Sequence, residues 1–129
     1  MASYRHTIDG AGQARSEADT PSSRVMRFGL DQPLRLDSGQ LIAPLQIGYQ
    51  TYGMLNADRS NAILVVHALT GDSHLRGEPG PGHPTGGWWN GLVGPGLAID
   101  TDRWFVVSPN MLGGCQGTTG PASYSPDGA

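Results

Sequence analysis

The stretch from Asn61 to Gly71 constrains this chain more than any other. A continuous apolar run, Ala62-Ile63-Leu64-Val65-Val66, breaks off into His67-Ala68-Leu69-Thr70-Gly71, a turn of small residues with a histidine at its mouth. An unbroken run rich in β-branched residues predicts a short strand buried on both faces, as in the centre of a parallel sheet. A strand followed at once by a tight turn brings main-chain N–H groups to the carboxyl edge of its sheet.

The rest of the chain supplies elements to build around that strand. Residues 1 to 27 are rich in Ser, Ala, Arg, Asp and Glu and lack apolar periodicity, so a flexible tail is expected. Residues 28 to 129 form the remaining unit. Leu34-Arg35-Leu36 followed by Asp37-Ser38-Gly39-Gln40 predicts a short strand and a hairpin turn. Leu45 to Tyr52 alternates apolar and polar residues and predicts a second, antiparallel strand. Asn61 to His67 is the third, and Trp104 to Ser108 the fourth. Between the last two, Asp72 to Gly87 is an irregular segment rich in proline and glycine. Trp88 to Leu92 is expected to form a short helical stretch halted by Gly94-Pro95-Gly96. Two antiparallel strands and then two strands joined by a crossover give an incomplete, doubly wound α/β sheet.

Composition removes several function classes. The eight basic residues are all arginine and scattered, and the net charge is −3, which leaves no footprint for nucleic acid or an anionic membrane. No apolar run approaches the length needed to span a bilayer. The first ten residues lack the apolar core of a secretory signal. A single cysteine forms no internal disulfide, in keeping with a cytoplasmic location.

From about Leu36 onward a series of words stands in a recognisable order: Leu36-Asp37-Ser38-Gly39; Tyr49-Gln50-Thr51-Tyr52-Gly53 with Leu55-Asn56; His67-Ala68-Leu69-Thr70-Gly71-Asp72-Ser73-His74; Gly87-Trp88-Trp89; Gly94-Pro95-Gly96 with Ile99-Asp100-Thr101; and Asn110-Met111-Leu112-Gly113-Gly114-Cys115 with Gly117-Thr118-Thr119-Gly120-Pro121. Each word alone is weak, but their order is specific. In these words the chain resembles the homoserine O-acyltransferase family of the α/β-hydrolase superfamily. The resemblance implies the N-terminal part of an α/β-hydrolase fold, truncated before the nucleophile elbow. No Gly-x-Ser-x-Gly word occurs in this chain, so the family's triad serine, aspartate and histidine have no counterparts in it. It further implies acyl transfer from acyl-CoA, as co-substrate, to the hydroxyl of L-homoserine in methionine biosynthesis. Succinyl transfer and serine as acceptor both occur among relatives, and the rival readings are a plain serine hydrolase of the same superfamily and a non-catalytic truncated module. A serine acyl-enzyme, no bound cofactor or metal, and a homodimer in the full-length enzyme are implied with it.

Residue by residue, the family's oxyanion donor falls on the main-chain N–H of Leu69. The plain alternative is an ordinary strand-to-helix turn without a catalytic role. Histidine as a residue type suits general-base chemistry, so His67 could pass for one, yet the family's triad histidine comes much later; shaping the turn is the better reading. Together with Ala68, Thr70, Asn110, Gly113 and Gly114, His67 is a candidate for the substrate pocket. Asn110 to Pro121 provides N–H groups but lacks the lysine of a phosphate-binding loop, so a pocket wall or a structural turn is expected there. Ser73 invites a nucleophile claim, but no base is seen to be held against it. Cys115 fits a small residue in a glycine-rich loop better than a nucleophile. Trp88 and Trp89 read as core or lid residues, one of them a candidate for the substrate tunnel. The spacing of His67, His74 and His83 matches no zinc pattern.

Overall fold

The computed structural model describes residues 24–80, 83–114, 116–121 and 123. Its strands in chain order are β1 (Arg24–Phe28), β2 (Leu34–Arg35), β3 (Leu41–Ile42), β4 (Leu45–Tyr52), β5 (Ala62–Leu64), β6 (Val93–Gly94), β7 (Ile99–Asp100) and β8 (Phe105–Pro109). The main sheet has the order β1-β4-β8-β5. β4 runs antiparallel to both β1 and β8, while β5 and β8 are parallel, with Ile63 opposite Val106. Passing from β5 to a parallel neighbour requires a crossover, and the segment between Val65 and Trp104 provides it.

β4 forms where its alternation predicts, and the register explains the pattern. Tyr52 lies opposite Val106 and Gln50 opposite Ser108, so these side chains share one face, and all are buried. Val65, Leu75 and Val93 complete the core, with Ile63, Ile99 and Trp104 packed against it. The crossover segment, irregular as its glycines and prolines dictate, covers that face.

Several expectations are corrected. The sheet begins at Arg24, inside the stretch expected to be a tail: Met26 pairs with Ile47 and Arg24 with Tyr49 across β1 and β4. A strand held by its neighbour's main chain needs no apolar periodicity of its own, which is why composition alone missed it. The rest of the expected tail, residues 1–23, lies outside the described residues. The strand and turn around Leu36 do form a hairpin, β2–β3, but as a separate two-stranded ribbon. Trp88 to Leu92 is a turn rather than a helix, closed by Val93 N–H donating to Trp89 O at 3.0 Å and ending where Val93 joins the short parallel pair β6–β7. Gly91 and the glycines flanking this stretch disfavour further helical turns.

The largest correction concerns β5. It is three residues long, half exposed, and at the edge of the sheet rather than buried on both faces. Leu64 is 66% exposed, and Val66, just beyond the strand, is exposed as well. The opposite edge, β1, carries Arg24 and Arg27, charges that discourage edge-to-edge pairing. β5 carries none. The isolated chain is therefore expected to self-associate through β5, and Leu64→Lys is expected to shift it toward monomer. Light scattering on both variants checks this; a monodisperse monomer for the unsubstituted chain would refute it.

Candidate active site

The turn after β5 and the loop after β8 face each other across an open cleft of about 720 Å³. One wall is His67 to Asp72, and the other runs from Asn110 to Gly114 with Gln116. All the sequence candidates for the substrate pocket, His67, Ala68, Thr70, Asn110, Gly113 and Gly114, border this cleft together with Leu69. Parallel β5 and β8 both end here, so their following loops meet at one sheet edge.

Each wall is held by hydrogen bonds that leave the cleft side open. Asn110 N–H donates to Gly48 O at 2.7 Å, and Thr119 N–H to Gln46 O at 2.7 Å. In return, the Thr118 and Thr119 hydroxyls accept from the N–H groups of Gly48 and Gln46. The loop is thereby laced along β4. Gly48 permits this contact, because a Cβ there would sit 2.6 Å from Gln116 O. In the facing turn, Gly71 N–H donates to Ala68 O at 2.9 Å. A Cβ at Gly71 would lie 2.8 Å from the Cβ of His67, so only glycine fits against the histidine without displacement. Leu69 is fully exposed, and its N–H makes no hydrogen bond among the described residues.

His67 joins the walls. Its Nε2 accepts the Met111 N–H at 3.0 Å, which leaves Nδ1 to carry the proton and donate to Ala68 O at 2.6 Å. With both ring nitrogens engaged, His67 has no lone pair to offer as a base. Met111, Leu112 and Gln116 also border the cleft, inside the loop read from sequence as a pocket wall or structural turn but not named individually, and so does Asp72, which was not singled out; main-chain groups carry no residue-type signal, and Met111 takes part through its N–H.

Behind the turn lies a buried polar cluster. Asp72 Oδ1 accepts the His74 N–H at 2.8 Å, and Oδ2 pairs with His83 Nδ1 at 3.1 Å. Gln50 donates to His83 Nε2 and accepts from His74 Nδ1 and the Tyr52 hydroxyl. The two imidazoles stack with centroids 4.5 Å apart. Burial is the largest cause holding the His74 pKa below the ordinary histidine value, followed by its neighbour His83. Burial likewise raises the Tyr52 phenol. Ser73 sits in this cluster with no exposed surface, out of a substrate's reach. Trp88 Nε1–H donates to Asp72 O, and neither Trp88 nor Trp89 borders the cleft. Cys115 lies outside the described residues.

Comparison with known proteins decides what this arrangement belongs to. The chain is 70% identical over 119 residues to the homoserine O-acetyltransferase of Clavibacter michiganensis subsp. michiganensis, covering 92% of this chain and 30% of that protein. It is 59% identical over 112 residues to the homoserine O-acetyltransferase of Thermobifida fusca, covering 87% and 29%. The chain belongs to the homoserine O-acyltransferase family. It spans about 30% of the length of these curated relatives. No protein-family model matches it. Among solved structures, the homoserine O-acetyltransferase of Bacillus anthracis superposes with a TM-score of 0.70 at 37% identity, covering 82% of this chain and 29% of that one. Esterase E22 superposes with 0.69 at 36%, covering 82% and 30%. The mixed sheet is the N-terminal part of an α/β-hydrolase fold, as the resemblance implied.

No described helix is long and apolar enough to cross a membrane.

Proposed function

We propose that this chain is the oxyanion-turn portion of a homoserine O-acetyltransferase, cytoplasmic and homodimeric at full family length, that serves methionine biosynthesis. In this reading a serine hydroxyl, contributed by sequence beyond this chain, attacks the thioester carbonyl of acetyl-CoA. The tetrahedral oxyanion forms, CoA leaves as thiol with a proton delivered by the triad histidine, and an acyl-serine ester remains. The homoserine hydroxyl then attacks that ester with histidine as base and releases the serine. The contribution of this chain is electrostatic. Leu69 N–H is one of two donors to the oxyanion, and the second comes from the residue after the nucleophile. The cleft between His67–Asp72 and Asn110–Gly114 forms part of the wall around the acyl group or homoserine, with succinyl-CoA and serine as the competing donor and acceptor. The observation that carries the reading is the turn at the mouth of a cleft in which Leu69 is fully exposed and its N–H has no partner among the described residues, in a chain so similar to homoserine O-acetyltransferases.

A second reading, ester hydrolysis with water as the acceptor, is favoured by the equally good superposition on esterase E22. A family-length protein, made by fusing this chain to the remaining sequence of the Clavibacter relative, distinguishes them. Incubated with acetyl-CoA and homoserine, it is expected to release thiol and form O-acetylhomoserine. Rapid hydrolysis of p-nitrophenyl acetate with no acetylhomoserine would favour the esterase. The chain by itself is expected to turn over neither, because it holds no elbow serine; turnover abolished by Ser73→Ala or Cys115→Ala would overturn the proposal.

A further inference from the structure

The hydrogen bonds of His67 do more than tie two loops together. A peptide unit is planar and trans, so the C=O of residue 68 and the N–H of residue 69 point in opposite directions. The Ala68 carbonyl is held by two donors, His67 Nδ1 at 2.6 Å and Gly71 N–H at 2.9 Å. Holding that oxygen fixes the direction of the Leu69 N–H, which stays free of any partner among the described residues. The unit most able to rotate and unmake a donor site is thus pinned from its far end.

We propose that His67 is a positioning residue that locks the Ala68–Leu69 peptide with its N–H toward the cleft, and that Met111 selects the ring tautomer that does so. The inference rests on the acyl-transfer reading for its catalytic consequence. The lock has two ends. Met111 N–H occupies Nε2 and keeps it unprotonated, which forces the proton onto Nδ1, and Nδ1–H then clamps the carbonyl. A free neutral imidazole has no such constraint on which nitrogen carries its proton. The loop after β8 therefore controls the donor geometry of the turn after β5 through one side chain. Gly71 belongs to the same device, since a Cβ there would strike the Cβ of His67. Because preorganised donors cost no rearrangement during reaction, loss of the lock slows the chemical step and leaves substrate affinity largely intact.

The test uses the fused family-length protein with ¹⁵N-labelled histidine. Long-range ¹⁵N–¹H correlation is expected to show His67 with Nδ1 protonated and Nε2 bare, and the Nε2 signal is expected to move in a Met111→Pro variant, which removes the donor. The reverse tautomer overturns the proposal. In kinetics, His67→Gln places an acceptor near Met111 but no donor at Ala68, while His67→Asn keeps a donor at the Nδ1 position. His67→Gln is expected to lose about 10- to 100-fold in kcat, less than deletion of the donor itself, with KM for acetyl-CoA nearly unchanged, and His67→Asn is expected to lose clearly less. Equal losses in the two variants, or a raised KM at constant kcat, overturn it. Failure of the unsubstituted fusion to make acetylhomoserine would count against the acyl-transfer reading, while the tautomer experiment would still decide whether the lock exists.

Discussion

Leu69→Pro in the fused family-length protein is expected to lower the acylation rate by about 10²-fold or more. The substitution removes one N–H and nothing else that touches the proposed oxyanion, and loss of one such donor costs about 2.7–4 kcal/mol of barrier. The side chain is not the cause, because Leu69 points entirely into open space; Leu69→Ala is accordingly expected to leave the rate near its starting value. Proline also restricts the residue before it, so Ala68 must be checked through the fold. Circular dichroism of native shape with a reduced burst of thiol is the expected pair of results. A folded proline variant that acylates at the original rate would remove Leu69 from the oxyanion hole.

Asp72→Ala is expected to be the most damaging single change to stability outside the apolar core. The carboxylate accepts from the His74 main chain and from His83, and both histidines are buried. Taking away the acceptor of these two part-buried hydrogen bonds costs about 1 kcal/mol each or somewhat more, a large part of the roughly 5–15 kcal/mol that holds a typical domain together. The same cluster sets a pH dependence. Folded His74 has a depressed pKa, from burial first and from His83 second; Asp72 and the carbonyls near Glu78 and Gly77 act the other way without reversing it. In the unfolded chain the ring titrates near 6.5. Between the two values the unfolded state binds the extra proton, so stability rises with pH through that window. The His74 contribution is therefore complete above about pH 6.5 and is lost as the pH falls from there toward the folded value. Urea midpoints measured from pH 8 down to pH 5 are expected to hold level and then fall, with a shallower fall in His74→Gln. Parallel curves for the two proteins would show that the cluster does not titrate as its burial requires.

How much was legible beforehand follows from the range of the forces involved. β4 appears over the residues where apolar and polar side chains alternate, because a pleated strand presents successive residues to opposite faces whatever its neighbours are. The strand-then-turn character of Asn61 to Gly71 is equally local, and the order of short words was enough for the family. β1 was not legible: its pairing with β4 is made by main-chain groups that carry no residue signature. The helix expected at Trp88 failed for a related reason, since one turn among glycines ends as soon as Val93 finds a strand partner. Continuous apolarity at β5 predicted burial on both faces, but burial depends on what covers a strand, and the described residues cover one face only.

The site divides in the same way. The residue types around the cleft, a turn of small residues and a glycine-rich loop, were visible in the linear order, and so was the place of Leu69 within that turn. What only the tertiary structure decided is how those pieces are held. His67 and Met111 are 44 residues apart and meet because parallel β5 and β8 are neighbours, while Gln50 and His83 are 33 apart and meet because the crossover segment packs against β4. A sequence determines which groups are available to donate and accept, since that is a property of each residue. It leaves open which of them meet, because that is settled by the register of strands and the closure of loops.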